Sequence, residues 1–235
     1  MYIDSALSHD NPSYPLATEL VGKGNTLALG EEKMIAVQQL ADASYRVYFG
    51  LVVPEDFYPR SDCADSDANA RTEAMRSHLL SSNELFANYV PLLKGFIENA
   101  EGPFRPWPLH YMEPEQVSWE RSAAAGVTLL GDAAHVSTPF AGEGVNCSMY
   151  DAVMLVDSIV EHCGRSKSFA SVEKSSLEVA LAVYEKDMFP RGQNLIRESS
   201  ENGMKLFAKD ATKRLLEIFG GDTQTSATGN RNGQD

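Results

Sequence analysis

The pattern of apolar and polar positions divides the chain into a strand-rich front and a helix-rich back. Thr26 to Leu29 and Met34 to Gln38 are short strand-like runs either side of Gly30-Glu31-Glu32-Lys33, the arrangement of a hairpin around a tight turn. Ala43 to Val53 (ASYRVYFGLVV) is dense in aromatic and β-branched residues and stops at Pro54. Period-two alternation sends Tyr45, Val47, Phe49 and Leu51 to one face and Arg46, Tyr48 and Val52 to the other, without saying which face lines a pocket. Three neighbouring strands with short polar links predict an antiparallel meander. Ahead of them, Met1 to Pro15 carries Asn11-Pro12 and Tyr14-Pro15 and predicts extended chain or loop.

Beyond Pro54 the spacing becomes helical. Glu55 to Asn69 reads as an acidic loop, and Arg71 to Leu80 as a helix. Glu84 to Asn99 places Leu85, Tyr89, Leu92, Leu93 and Phe96 on one face, with Pro91 dividing or kinking it. Gly102 to Pro108 (GPFRPWP) excludes regular helix and central strand. Leu109 to Met112 predicts a short strand, and Trp119 to Gly126 a connector. Val127 to Leu130 predicts an apolar strand that breaks at Gly131-Asp132 into a loop holding Pro139, Gly142 and Gly144. A helix follows from about Asn146 to Cys163-Gly164. Its apolar positions Met149, Val153, Leu155, Val156, Ile159 and Val160 wrap most of the circumference, which predicts deep burial. Val172 to Met188 predicts an amphipathic helix. Pro190 suits the first turn of another, running to Phe219 and stopping at Gly220-Gly221. Thr223 to Asp235 is polar and aperiodic, the composition of a disordered tail. No internal repeat is present.

Composition narrows the function classes. The 235 residues are 43% hydrophobic and 23% charged, enough apolar material for a sizeable core. A formal net charge of -13 argues against nucleic-acid or anionic-membrane surfaces as partners. Three cysteines, Cys63, Cys147 and Cys163, form neither a disulfide framework nor a zinc spacing and suit a reducing compartment. With no apolar leader and no run long enough to span a bilayer, the expectation is a cytoplasmic protein.

The chemistry concentrates in Val127 to Ile159. A strand, a glycine-rich loop and a helix N-terminus together make a place for a polar, electron-rich ligand. The glycines let backbone come close to a flat ligand, the first helical N–H groups have no partner within the helix, and the helix dipole adds positive potential there.

The string GDAAHVSTPFAGEGVN, with Asp151-Ala152 in the helix behind it, resembles the second FAD-binding motif of the FAD-dependent aromatic monooxygenases, the family of para-hydroxybenzoate hydroxylase and the tetracycline-inactivating monooxygenases. Identity to the motif is sharp from Gly131 to Asp151, and the layout of the remaining chain follows the family's C-terminal part. The resemblance implies an α/β (α+β) fold: an antiparallel substrate-domain sheet, an FAD-contacting strand-loop-helix and C-terminal helices. It implies a partial substrate domain over 1–120, the C-terminal part of an FAD-binding domain over 121–221, and the tail over 222–235. By the same resemblance Asp132 meets the ribityl chain and Pro139 flanks the isoalloxazine ring. Gly142, Gly144, Val145 and Asn146 meet its pyrimidine edge. The implied activity is hydroxylation of an aromatic or polycyclic small molecule: NAD(P)H reduces the flavin, oxygen adds at C4a, and the resulting hydroperoxide hydroxylates an electron-rich substrate.

The family's G-x-G-x-x-G element does not occur in these residues; Gly22-Lys23-Gly24 lacks the third glycine and precedes a strand. The expectation is a C-terminal portion that binds FAD weakly alone. Two other readings stay open: a non-catalytic remnant or interaction module, and a related flavoprotein such as a halogenase or reductase.

Several residues have plainer roles beside the functional ones. His135 has no nucleophile or ligand spacing and suits a structural tie of the loop. Glu143 carries no separate role. Asp151 is explained by the helix dipole alone. Tyr48, Phe49 and Trp107 are candidate walls of a substrate pocket, although strand aromatics more often build core.

Overall fold

The structure is a computed structural model, and it describes residues 1–54, 56–57, 68–164 and 174–213. Most of the expected acidic loop, Cys63, the end of the last helix and the tail lie outside the described residues. The chain divides into two compact units. One is Ile3–Arg105 with Phe207–Asp235; the other is Met1–Tyr2 with Pro106–Leu206. Within the second unit Met112, Val117 and Trp119 pack with Ala134, Tyr184, Met188 and Ile196.

The first unit is built on a five-stranded sheet. In chain order its elements are β1 (Tyr2–Leu7), α1 (Tyr14–Val21), β2 (Asn25–Gly30), β3 (Lys33–Gln39), β4 (Tyr45–Leu51), α2 (Ala68–Ser81), α3 (Pro91–Glu98) and β5 (Glu101–Trp107). Spatial order in the sheet is β2-β3-β4-β1-β5. The expected meander is present: β2 pairs antiparallel with β3 and β3 with β4, placing Leu29 opposite Met34 and Ile35 opposite Phe49. Glu31 and Glu32 both take positive φ (50° and 65°), as a two-residue hairpin turn requires to match strand twist. The period-two reading of β4 resolves cleanly: Tyr45, Val47, Phe49 and Leu51 are buried, while Arg46 and Tyr48 are partly exposed.

Prolines explain the departures in this unit. Pro91 opens α3 at its first position, so the segment from Glu84 is turns before a short helix. Pro103 and Pro106 are carried by β5 at the end of the sheet, where strand is tolerated without a full ladder. Met1 to Pro15, expected as extended chain or loop, supplies the extended β1 and, as a departure, the start of α1.

The second unit is helical. After two 3-10 turns (Pro114–Gln116 and Arg121–Ala123) come α4 (Asp132–His135), a 3-10 turn at Pro139–Ala141, α5 (Gly144–Cys163) and α6 (Lys174–Leu206). Leu109 to Met112 is not strand; Met112 N–H donates to the Val136 carbonyl at 3.0 Å. Val127 to Leu130 is also not strand and pairs with no other strand among the described residues. The two expected C-terminal helices are one continuous helix with Pro190 inside it. Pro190 and Lys186 are both exposed, so the carbonyl left without its N–H partner belongs to a residue on the wet side of the helix.

α5 departs most from expectation. Only Cys147, Asp151 and Ser158 are buried. Val145, Met149, Val153 and Val156 are 73%, 66%, 55% and 57% exposed, in helical register on one side. Hydrophobicity all round the helix does not make it buried when only one side meets α6. No helix among the described residues is long and apolar enough to cross a membrane.

Candidate functional site

The glycine-rich loop and the start of α5 fall within the second unit, as do all six expected cofactor residues. Asp132, Pro139, Gly142, Val145 and Asn146 are exposed, and Gly144 is half-buried. Gly142 takes φ 71° and ends the Pro139–Ala141 turn, a left-handed conformation that a side chain would strain. Space is open beside both Gly142 and Gly144, where a Cβ would meet nothing within 4 Å. α5 then begins at Gly144, two residues before the expected start, and no side chain caps it. Its 20 residues present the free N–H groups and dipole of a long helix to an uncluttered backbone surface. That donor set fits the oxygen-bearing rim of a flat, electron-rich ring.

Gly131 fixes where Asp132 starts. It has φ 57°, and a Cβ built there would lie 2.8 Å from Ser148 Oγ, so the loop sits directly on the first turns of α5. Its N–H donates to Asp151 Oδ2 at 2.8 Å. The same oxygen is 2.7 Å from His135 Nε2, and Asp151 Oδ1 accepts from Arg191 at 2.8 Å. Asp151 is fully buried, so it is the interior anchor of the loop and not an exposed partner of the helix dipole. His135 does tie the loop down, as expected, but to a carboxylate instead of neighbouring backbone. Burial, and then the charge of Asp151, push the Cys147 thiol up, so it stays protonated beside this group.

α6 forms the bed beneath the loop. Gly192 faces His135 so closely that a Cβ would lie 2.8 Å from the histidine Cβ. Ser199 donates to the Thr138 carbonyl, Asn202 Nδ2 to the Phe140 carbonyl at 3.3 Å, and Gly203 leaves room for the Phe140 ring. Upstream, Glu185 on α6 is 2% exposed. It accepts from Trp119 Nε1 (2.9 Å), Arg121 (2.7 Å) and Thr128 Oγ1 (2.7 Å). Burial opposes the charge of Arg121, but Glu178 and Glu185 outweigh it and hold the guanidinium above its ordinary value. Tyr184 donates to the Leu129 carbonyl at 3.0 Å. Burial, then Asp151, push its phenol up, so it remains a donor. None of Glu185, Arg121, Arg191 or Gly192 stood out in the sequence. No spacing along the chain marks them, because their partners lie 40 or more residues away.

A cavity of about 790 Å³ lies between the start of α5 and α6, lined by residues including Glu143, Asn146, Cys147, Tyr150 and Arg191. Of the expected cofactor residues only Asn146 lines it, and Asn146 Nδ2 donates to Glu143 Oε2 at 2.9 Å. Of the three aromatics considered for a substrate pocket, Phe49 is in the sheet unit's core against Phe86 and Phe104. Tyr48 is half-buried on the opposite face of β4, and Trp107 is largely exposed.

Comparison with known proteins agrees with this picture. Residues 101–187 match the FAD binding domain family. Over 93% of its length the chain is 25% identical to monooxygenase penA of Penicillium thymicola, covering 56% of that protein. The fold superposes on Klebsiella pneumoniae HpxO complexed with FAD and uric acid with a TM-score of 0.63, at 20% identity, over 94% of this chain and 49% of that one. It superposes on a salicylate hydroxylase substrate complex with a TM-score of 0.60, at 19% identity, over 94% and 54%. The chain thus spans about half the length of the relatives it matches. Over residues 101–187 the chain is thus similar to an FAD binding domain, and its fold is that of part of the solved flavin monooxygenases.

Proposed function

We propose that this chain forms the part of a flavin monooxygenase that grips the ring and ribityl arm of FAD, in an enzyme that hydroxylates an aromatic or polycyclic small molecule at the expense of NAD(P)H and oxygen. The observation that carries it is the uncapped start of a 20-residue helix behind two open glycines, inside the stretch that matches an FAD binding domain. An aromatic substrate is supported by two relatives of the same fold, one complexed with uric acid and one with 2-aminobenzoylacetate.

FAD, when bound, supplies the electron transfer to oxygen and the oxygen insertion. The chain supplies position and charge. With FAD bound, the N–H groups at Gly144, Val145 and Asn146 would meet the oxygen-bearing rim of the ring, a stabilisation on the order of ~3 kcal/mol by analogy with an oxyanion donor. Asp132 would accept a hydrogen bond from a ribityl hydroxyl and orient the ligand without taking part in the chemistry. Pro139 and Phe140 would wall the ring and keep water out.

The FAD diphosphate needs a phosphate cradle of its own. The exposed stripe of Val145, Met149, Val153 and Val156, with Val127, Leu129 and Leu130, is an apolar surface that calls for a protein cover. In this reading a dinucleotide-binding half, in the same protein or a second chain, covers it and holds the diphosphate. The same surface favours one alternative, an interaction module without flavin.

Flavin fluorescence separates the two. FAD titrated into the chain gives weak, saturable quenching, and Asp132→Ala weakens it about tenfold, or ~1.4 kcal/mol. With a dinucleotide-binding half added, oxygen-dependent NAD(P)H consumption appears. No quenching with or without that half leaves the interaction module standing.

A further inference from the structure

We infer that Arg191, acting through Asp151, is the positioning residue for the turn that presents Asp132. Asp151 grips that turn at both ends with a single oxygen: Gly131 N–H before Asp132 and His135 Nε2 three residues after it. Its other oxygen belongs to Arg191. A carboxylate with no exposure needs a compensating charge, and among the described residues Arg191 supplies it. Arg191 is itself fixed from two further sides. It pairs with Asp187 one turn back on α6, and its guanidinium stacks 4.7 Å from the centre of the Tyr150 ring on α5. Burial works against its charge, but the hydrogen bonds to Asp151 and Asp187 outweigh this and hold it above the ordinary arginine range. One guanidinium therefore locks α6, α5 and the turn into a single register.

The histidine completes the lock. His135 Nδ1 is buried with no hydrogen-bond partner among the described residues. A proton there would be an orphan donor, so the ring carries its proton on Nε2 and donates to Asp151. His135, Cys147 and Asp151 also place three metal-type donor atoms within 4.8 Å of one another. A cation would have to displace Arg191 and two N–H donors from Asp151, so the group is a closed ion-pair network. That it serves a cofactor rests on the flavin reading above; that Arg191 positions the turn does not.

The test needs no flavin. In the chain alone, Arg191→Met raises amide exchange across Gly131–His135 at least tenfold and leaves the middle of α5 unchanged. Arg191→Lys, which keeps a cation beside Asp151, recovers a substantial part of the protection. Unaltered exchange in the turn, equal loss throughout the unit, or a lysine variant as exposed as the methionine one each overturns the proposal. Should the variants fail to fold, long-range nitrogen-proton spectra of the wild-type His135 ring decide instead: a proton on Nε2 supports it and a proton on Nδ1 overturns it. Failure here with FAD still weakened by Asp132→Ala sinks only this inference, and the converse result sinks only the flavin reading.

Discussion

The two units satisfy their backbones by different means. In the sheet unit β2, β3 and β4 pair residue for residue, so main-chain groups serve one another and side chains are free to pack. In the helical unit the stretch from Val127 to Phe140 has no strand beside it among the described residues, and several of its polar groups go to side chains. Arg121 takes the Val127 carbonyl, Tyr184 that of Leu129, Ser199 that of Thr138, and Asp151 the Gly131 N–H. Two buried acids, Glu185 and Asp151, each held by an arginine, do the work that a ladder does elsewhere. A ladder spreads its stability over many equivalent bonds. A side-chain hub concentrates it in a few residues, and leaves the backbone of the loop facing outward for a ligand.

That contrast breaks most readily at Glu185. Replacing it with Ala leaves Trp119 Nε1 and Thr128 Oγ1 without their acceptor and Arg121 with only Glu178 and the Val127 carbonyl, and a loss of about 3 kcal/mol is expected in urea unfolding. A loss below about 1 kcal/mol would show that the hub is not what holds the segment. Next in size is Gly192→Ala, whose methyl collides with the Cβ and Cγ of His135. Overpacking of this kind costs about 1–3 kcal/mol, read as a lower thermal midpoint. Tyr184→Phe removes one donor from the Leu129 carbonyl and costs about 1 kcal/mol, with faster amide exchange confined to the neighbouring segment.

The smallest effect belongs to the sheet unit and sharpens the comparison through pH. Burial pushes Glu101 upward, but hydrogen bonds from Asn11 and Ser8 outweigh it and set its carboxyl below the ordinary glutamate value. A depressed carboxyl contributes stability that is fully present above its unfolded value and is lost as pH falls through the folded one. Stability should therefore drop from about pH 4.5 downward, and Glu101→Gln should flatten that part of the profile. A variant with the same acid slope as wild type would assign the loss to other groups.

Much of the front half was readable because its information is local. The hairpin at Glu31-Glu32 and the alternation of β4 depend on turn geometry and on which side of a pleat a residue faces. The misreadings lie where non-local partners decide. Val127 to Leu130 has strand composition but no strand neighbour. Pro190 predicted a helix start, yet packing on both sides of it keeps α6 continuous. The apolar girdle of α5 predicted burial, and its outer side is exposed among the described residues.

By itself the sequence determined the strand meander and the glycine loop leading into a helix, since each rests on backbone preferences within a few residues, and it carried the resemblance to an FAD binding domain. Only the tertiary structure decided that Asp151 and Glu185 are buried hubs, that Arg191 and Arg121 neutralise them, and that Gly192 must stay bare. Those roles depend on burial and on partners 40 or more residues away, and no spacing rule along the chain encodes either.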